Sequence, residues 1–136
     1  MLIARPKSVR KRVVVNCQIA DAVGELVSIA GPDVGGLWQV QKTQIGSLFA
    51  VPAVGVIIVK INPTTAIVQT EGEIDGIFTG LTSGRVYYCS ASSIPTMTPP
   101  VASIGMPRVY QQTVGVAVST DKFLLKISPQ LSVKIL

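Results

Sequence analysis

Three carboxylates spaced two residues apart, Glu71, Glu73 and Asp75, form the densest acidic group in the chain. On an extended strand, residues i, i+2 and i+4 point to one side, so all three would share a face. Such a face could hold a divalent cation, receive a basic partner or, as a carboxylate pair, move a proton. A solvated strand face carries the same pattern, because half-buried strands keep charge on one side. The second charged group is basic: Arg5, Lys7, Arg10, Lys11 and Arg12 fall within twelve residues with no acid among them. Five cations in so short a segment could neutralise phosphates in a salt-sensitive way or clasp an acidic protein surface. The two groups also suit each other, the acidic face of one copy receiving the basic segment of another.

The other residues remove most catalytic options. The chain has no histidine, so Ser/His and Cys/His nucleophile pairs cannot be assembled. Cys17 and Cys89 lack metal-ligand spacing and are expected as small buried hydrophobes, a disulfide between distant strands being the alternative. The glycines from Gly31 to Gly36 lack the Lys-Ser/Thr of a phosphate loop and introduce no helix. The expectation is a protein that is not an enzyme and that uses no cofactor and no metal.

Charge distribution sharpens this. The net charge is +5, from twelve basic and seven acidic residues. Five of the bases precede Val13, leaving seven bases against seven acids in the body. A neutral body offers no groove to continue a basic track, and basic–aromatic neighbours such as Arg85 beside Tyr87–Tyr88 and Arg108 beside Tyr110 are few. Protein is therefore favoured over nucleic acid as the partner of the basic segment. Charged residues make up 14% of the chain and the mean hydropathy is +0.51, against about a quarter charged in typical soluble domains. No apolar run approaches the roughly 20 residues of a membrane helix, and no signal-peptide pattern opens the chain. A weakly charged, apolar chain of this kind is expected to cover surface against other subunits.

These groups must be positioned by strands. Residues 1–12 read as an extended basic arm, and 13–136 as a single β domain. Strands are predicted at Val13–Val15, Gly24–Ile29, Leu37–Gln41, Val54–Val59, Ala66–Thr70, Ile74–Phe78 and Arg85–Cys89. A hairpin of Val109–Val118 and Lys122–Ile127 follows, with an edge strand or docking segment at Leu131–Leu136. Turns are expected at Gly31–Pro32, Gly35–Gly36 and Asn62–Pro63, and a long loop from Ser90 to Pro107. No segment has a 3.6-residue apolar period. The fold class is all-β, a small β-barrel or β-sandwich with an extended N-terminal arm. Val54-Gly-Val-Ile-Ile-Val59 and Val114-Gly-Val-Ala-Val-Ser119 echo each other, either as a duplicated hairpin or as a strand pattern recurring by chance.

The segments Ala22-Val-Gly-Glu-Leu-Val-Ser-Ile29, Val54-Gly-Val-Ile-Ile57, Val68-Gln-Thr-Glu-Gly-Glu-Ile74, Gly80-Leu-Thr-Ser-Gly-Arg-Val-Tyr-Tyr88, Thr98-Pro-Pro100 and Val114-Gly-Val-Ala-Val-Ser119 occur in that order. In this succession the region Asp21–Ile127 resembles small tailed-phage virion proteins, notably capsid decoration (cement) and head-fibre-like proteins. The resemblance implies a virion structural protein on the capsid surface, often a homo-oligomeric trimer, that clamps the major capsid protein with an N-terminal arm. A tail, adaptor or fibre component is the alternative within that resemblance. A nucleic-acid-binding β-barrel using the arm is the alternative of another class.

Overall fold

The computed structural model describes residues 10–47 and 50–136. It is all-β, with ten strands: β1 (Lys11–Asn16), β2 (Leu26–Val34), β3 (Leu37–Lys42), β4 (Gly55–Asn62), β5 (Thr65–Asp75), β6 (Val86–Tyr88), β7 (Arg108–Gln111), β8 (Thr113–Ala117), β9 (Lys122–Lys126) and β10 (Ser132–Ile135). Eight strands form one sheet in the order β1-β3-β2-β4-β5-β9-β8-β6. Pairing of β1 with β5 closes its first five strands into a barrel. Within the barrel β1 and β3 run parallel, through Val15↔Trp38 and Asn16↔Gln39, and the other neighbours are antiparallel. The two remaining strands, β7 and β10, make a separate antiparallel ribbon.

The turns follow from local chemistry. Gly35 and Gly36, both at positive φ (61° and 79°), form the two-residue loop between Val34 and Leu37, the backbone that a tight hairpin requires. At the β4–β5 turn, the Asn62 side-chain oxygen accepts the Thr64 amide at 3.0 Å, an Asx turn after which Thr65 pairs back onto Asn62.

Strand β5 organises the molecule. Its first half pairs with β4 and β1, and from Glu71 to Asp75 it pairs with β9. The strand serves both a closed barrel and an open extension, and two cores result. Val15, Cys17, Val27, Val40, Ile57, Ala66 and Val68 fill the barrel. Leu26, Val56, Ile58, Ile74, Phe78, Tyr87, Cys89, Val114, Phe123 and Leu125 belong to a second core between the extension and the loops. Adjacent residues thus point to different cores: Leu26 and Val27 diverge, as do Val56 and Ile57. Burial on both faces explains why β4 is a continuous apolar run instead of an alternating one.

Several expectations are corrected. The predicted Ile74–Phe78 strand is the end of β5, which stops at Gly76 (φ 73°). Gly31–Pro32 is no turn: it lies within β2, where the register with β3 shifts on either side of Gly31. A bulge accommodates the proline, which has no amide for the ladder. Val109–Val118 is two strands, because Gln112 turns inward between a β7 paired with β10 and a β8 paired with β6 and β9. Lys11 and Arg12, read as the end of the arm, belong to β1, where strand pairing begins at Lys11. Arg5 and Lys7 lie outside the described residues. In agreement with the sequence reading, Cys17 and Cys89 are free buried thiols, and they lie in different cores.

The Val-Gly-Val echo has a shared physical cause. A Cβ on Gly55 would sit 2.3 Å from Val68 Cγ1 and 2.6 Å from the Gln69 carbonyl oxygen. One on Gly115 would sit 2.2 Å from the Leu124 carbonyl oxygen and 2.7 Å from the Phe123 ring. In each strand the glycine admits a side chain from the neighbouring strand.

Candidate interaction surface

Glu71, Glu73 and Asp75 do share the outer face of β5, and the register brings bases to both sides of them. Glu71 lies opposite Lys11 of β1 on one side and Lys126 of β9 on the other. Asp75 lies opposite Lys122. Lys11 Nζ contacts Glu71 Oε2 at 3.0 Å, and Arg10 Nη2 donates to Asp75 Oδ2 at 3.1 Å. The acidic stripe therefore receives the end of the basic segment of its own chain. Both pairs are solvent-exposed, so each contributes about 0–1 kcal/mol and weakens with salt. Among the described residues no three of His, Cys, Asp or Glu come together in a way that could hold a metal ion.

Arg12 acts differently from its neighbours. Its Nε donates to the Gln69 side-chain oxygen at 3.2 Å, while Gln69 Nε2 donates to the carbonyls of Glu71 (3.1 Å) and Glu73 (3.0 Å). Gln69 is fully buried where β5 passes from barrel to extension. Arg12 faces Gln69 and Lys11 faces Glu71, so Thr70 is the extra residue of a bulge. A buried amide with each polar atom engaged holds this bulge in one arrangement. Arg10, Lys11 and Arg12 thus tie the start of β1 to the outer face of β5.

Beside the charged stripe the same sheet face turns apolar. Glu73 lies opposite Leu124, Leu124 opposite Val116, and Val116 opposite Val86, forming one row across β5, β9, β8 and β6. Val86 is 42% exposed and Val116 36%, with Val118 exposed near them. Lys122 and Lys126 flank Leu124. An aliphatic strip with a charged margin has the anatomy of a protein–protein contact. Sequence reasoning missed the two lysines and the row. The alternation Lys122-Phe-Leu-Leu-Lys126 places both lysines on the face of Leu124, but only the register places that face beside the acids.

Elsewhere, a cleft of about 630 Å³ is lined in part by Glu25, Lys42, Ser92 and Arg108. Lys42 Nζ and Glu25 Oε2 pair there at 3.3 Å. The Cys89 thiol is pushed up to about 12 by burial and donates to Gln112 Oε1 at 3.5 Å, which keeps it protonated and unreactive. No family model, curated protein or solved structure matches the chain.

Proposed function

We propose that this chain is a structural component of a bacteriophage virion, a capsid decoration (cement) module that binds the major capsid protein at the shell surface. The observation that carries the reading is the outer sheet face, where the row Val86–Val116–Leu124 sits beside a stripe of paired charges. A face of that kind suits docking on a protein surface, and the ordered series of virion-like segments in the sequence supports a capsid protein as that surface. With Arg10 and Lys11 engaged by Asp75 and Glu71, fewer cations are left to contact phosphate, which supports a protein partner over nucleic acid.

The module acts by linkage: a protein that binds only the assembled shell stabilises it by its binding free energy. The N-terminal segment, directed by the Arg10, Lys11 and Arg12 contacts, reaches a neighbouring capsid subunit while the apolar row rests on another. The test is copy number and stability of particles carrying the protein. Hundreds of copies per particle are expected for a shell component, against a few to tens for a tail, adaptor or fibre part. Deleting residues 1–9, which leaves β1 whole, is expected to lower the temperature at which particles rupture. Full stabilisation by the truncated protein would remove the clamping role from the arm.

A further inference from the structure

We propose that β10 pairs edge to edge with β10 of a second copy, antiparallel about a two-fold axis through Val133, so that two β7–β10 ribbons become one four-stranded sheet. The proposal stands on this edge alone and is independent of the virion reading. In β7, the Tyr110 amide donates to the Ile45 carbonyl at 2.8 Å, so the main chain at Tyr110 turns away from β10. Val109 and Gln111 therefore bond to Lys134 and Ser132, their register partners. The Leu136 amide continues the alternation by donating to the Pro107 carbonyl at 2.8 Å. It follows that the amides and carbonyls of Val133 and Ile135 point to the opposite edge. No strand of the described residues pairs with that edge.

This edge is short, four residues, and carries one lysine, but the other usual protections of an edge strand are missing from it. Strand β10 has no proline and no register shift against β7. Its one charge, Lys134, projects from the face opposite to Val133 and Ile135 by the two-residue period. Those two side chains are 51% and 68% exposed. Together with neighbouring Val101, also exposed, they present on the order of 200 Å² of aliphatic surface, taking about 60–120 Å² for each such side chain on full burial. That is below the roughly 800 Å² per partner of a standard interface, so the main-chain bonds define the contact and the expected association is weak.

Chemistry selects the occupant and the register. The outward-pointing groups belong to odd-numbered residues, so odd must face odd for bonds to form. With Val133 on the axis, Val133 meets Val133 and Ile135 meets Leu131, which gathers the aliphatic side chains on one face. Each Lys134 then lies opposite Ser132. Centring on Lys134 would oppose two like charges, and centring on Ser132 would set Ile135 opposite Pro129, which has no amide to bond.

The test is the mass of the full chain in solution across about 1–500 μM, by sedimentation and native mass spectrometry. The expected species has twice the 14.3 kDa chain mass. Val133→Pro removes an outward amide but no β7–β10 bond, and is expected to raise the dissociation constant by about a hundredfold, since both copies lose the bond. Slow hydrogen exchange at the Lys134 and Leu136 amides would show that the ribbon is intact in that variant. Ile135→Lys, which leaves the backbone alone, is expected to weaken the dimer as well. A chain that stays monomeric throughout, a trimer as the virion resemblance implies, or a dimer indifferent to both variants would overturn the proposal.

Discussion

Inside the barrel the buried side chains are small: Val15, Val27, Val40, Ile57, Ala66, Val68 and Cys17, with Trp38 packed against them from a half-buried position. The second core contains Phe78, Tyr87 and Phe123, whose rings meet edge to face with centroids 5.4 and 5.6 Å apart. The barrel needs little side-chain volume because main-chain pairing closes it on every side. The extension β9-β8-β6 is an open sheet, and loops must cover its inner face. Large rings fill that wider gap, and buried polar groups attach the loops. Gln112 does so most fully: Oε1 accepts the Ala53 amide at 2.8 Å, and Nε2 donates to the carbonyls of Ala53 (3.3 Å) and Ser128 (2.8 Å). Ser93, at φ 66°, accepts the Leu26 amide on its carbonyl and donates through Oγ to Thr43, both at 2.7 Å. The lesson is that closure by backbone and closure by side chains place different demands on residue type within one sheet.

The two cores differ most in the volume of the side chains they bury. Phe123→Ala is expected to destabilise the chain by about 4 kcal/mol, and Val68→Ala by about 2 kcal/mol, from lost transfer energy plus the cavity left behind. Equal losses in urea unfolding would mean that the second core is not the more volume-dependent of the two. Next come the two close-approach glycines. Gly55→Ala and Gly115→Ala each place a Cβ against a backbone carbonyl oxygen, and each is expected to cost about 3 kcal/mol. A mild effect at either site, read from the same unfolding curves, would show that its strand pair can separate and that the Val-Gly-Val echo has no common cause.

A smaller effect separates the cores by pH. The folded chain holds the Cys89 proton up to about 12, whereas the ordinary value is 9.0. Unfolding above that value releases a proton, so the thiol's contribution is intact below about 9 and declines as pH rises toward 12. Cys89→Ala is expected to flatten the alkaline limb of the stability profile, and an unchanged limb would count against burial as the controlling factor. The smallest change is expected at the surface. Lys11→Ala or Asp75→Asn should shift stability by about 0.5 kcal/mol or less, and salt should shrink the difference further. A loss of several kcal/mol would show that the ion pairs, and not the β1–β5 ladder, close the barrel.

Most of the barrel was legible in the sequence. Its strands are bounded by turn residues whose chemistry is local, such as Gly35–Gly36 and Asn62–Pro63, and the alternation of β5 correctly put Glu71, Glu73 and Asp75 on one face. The second half of the molecule was less legible. Gln112 reads as one more residue in a run from Val109 to Val118, and nothing nearby announces that it turns inward to Ala53, 59 residues away. Pro32 reads as a turn because its missing amide is a local fact, while the bulge that tolerates it depends on β3.

What the sequence determined by itself was composition and local geometry: an all-β chain, a neutral body behind a basic start, no histidine, and an acidic stripe on a strand face. Tertiary structure alone decided the pairings. It brought Arg10 and Lys11 onto the chain's own acids, set Lys122 and Lys126 on the far side of them, divided the two cysteines between two cores and left one edge of β10 unpaired among the described residues. Strand alternation is a property of neighbouring residues, whereas register depends on which distant strand lies alongside, and the free energy that selects it is spread over both cores.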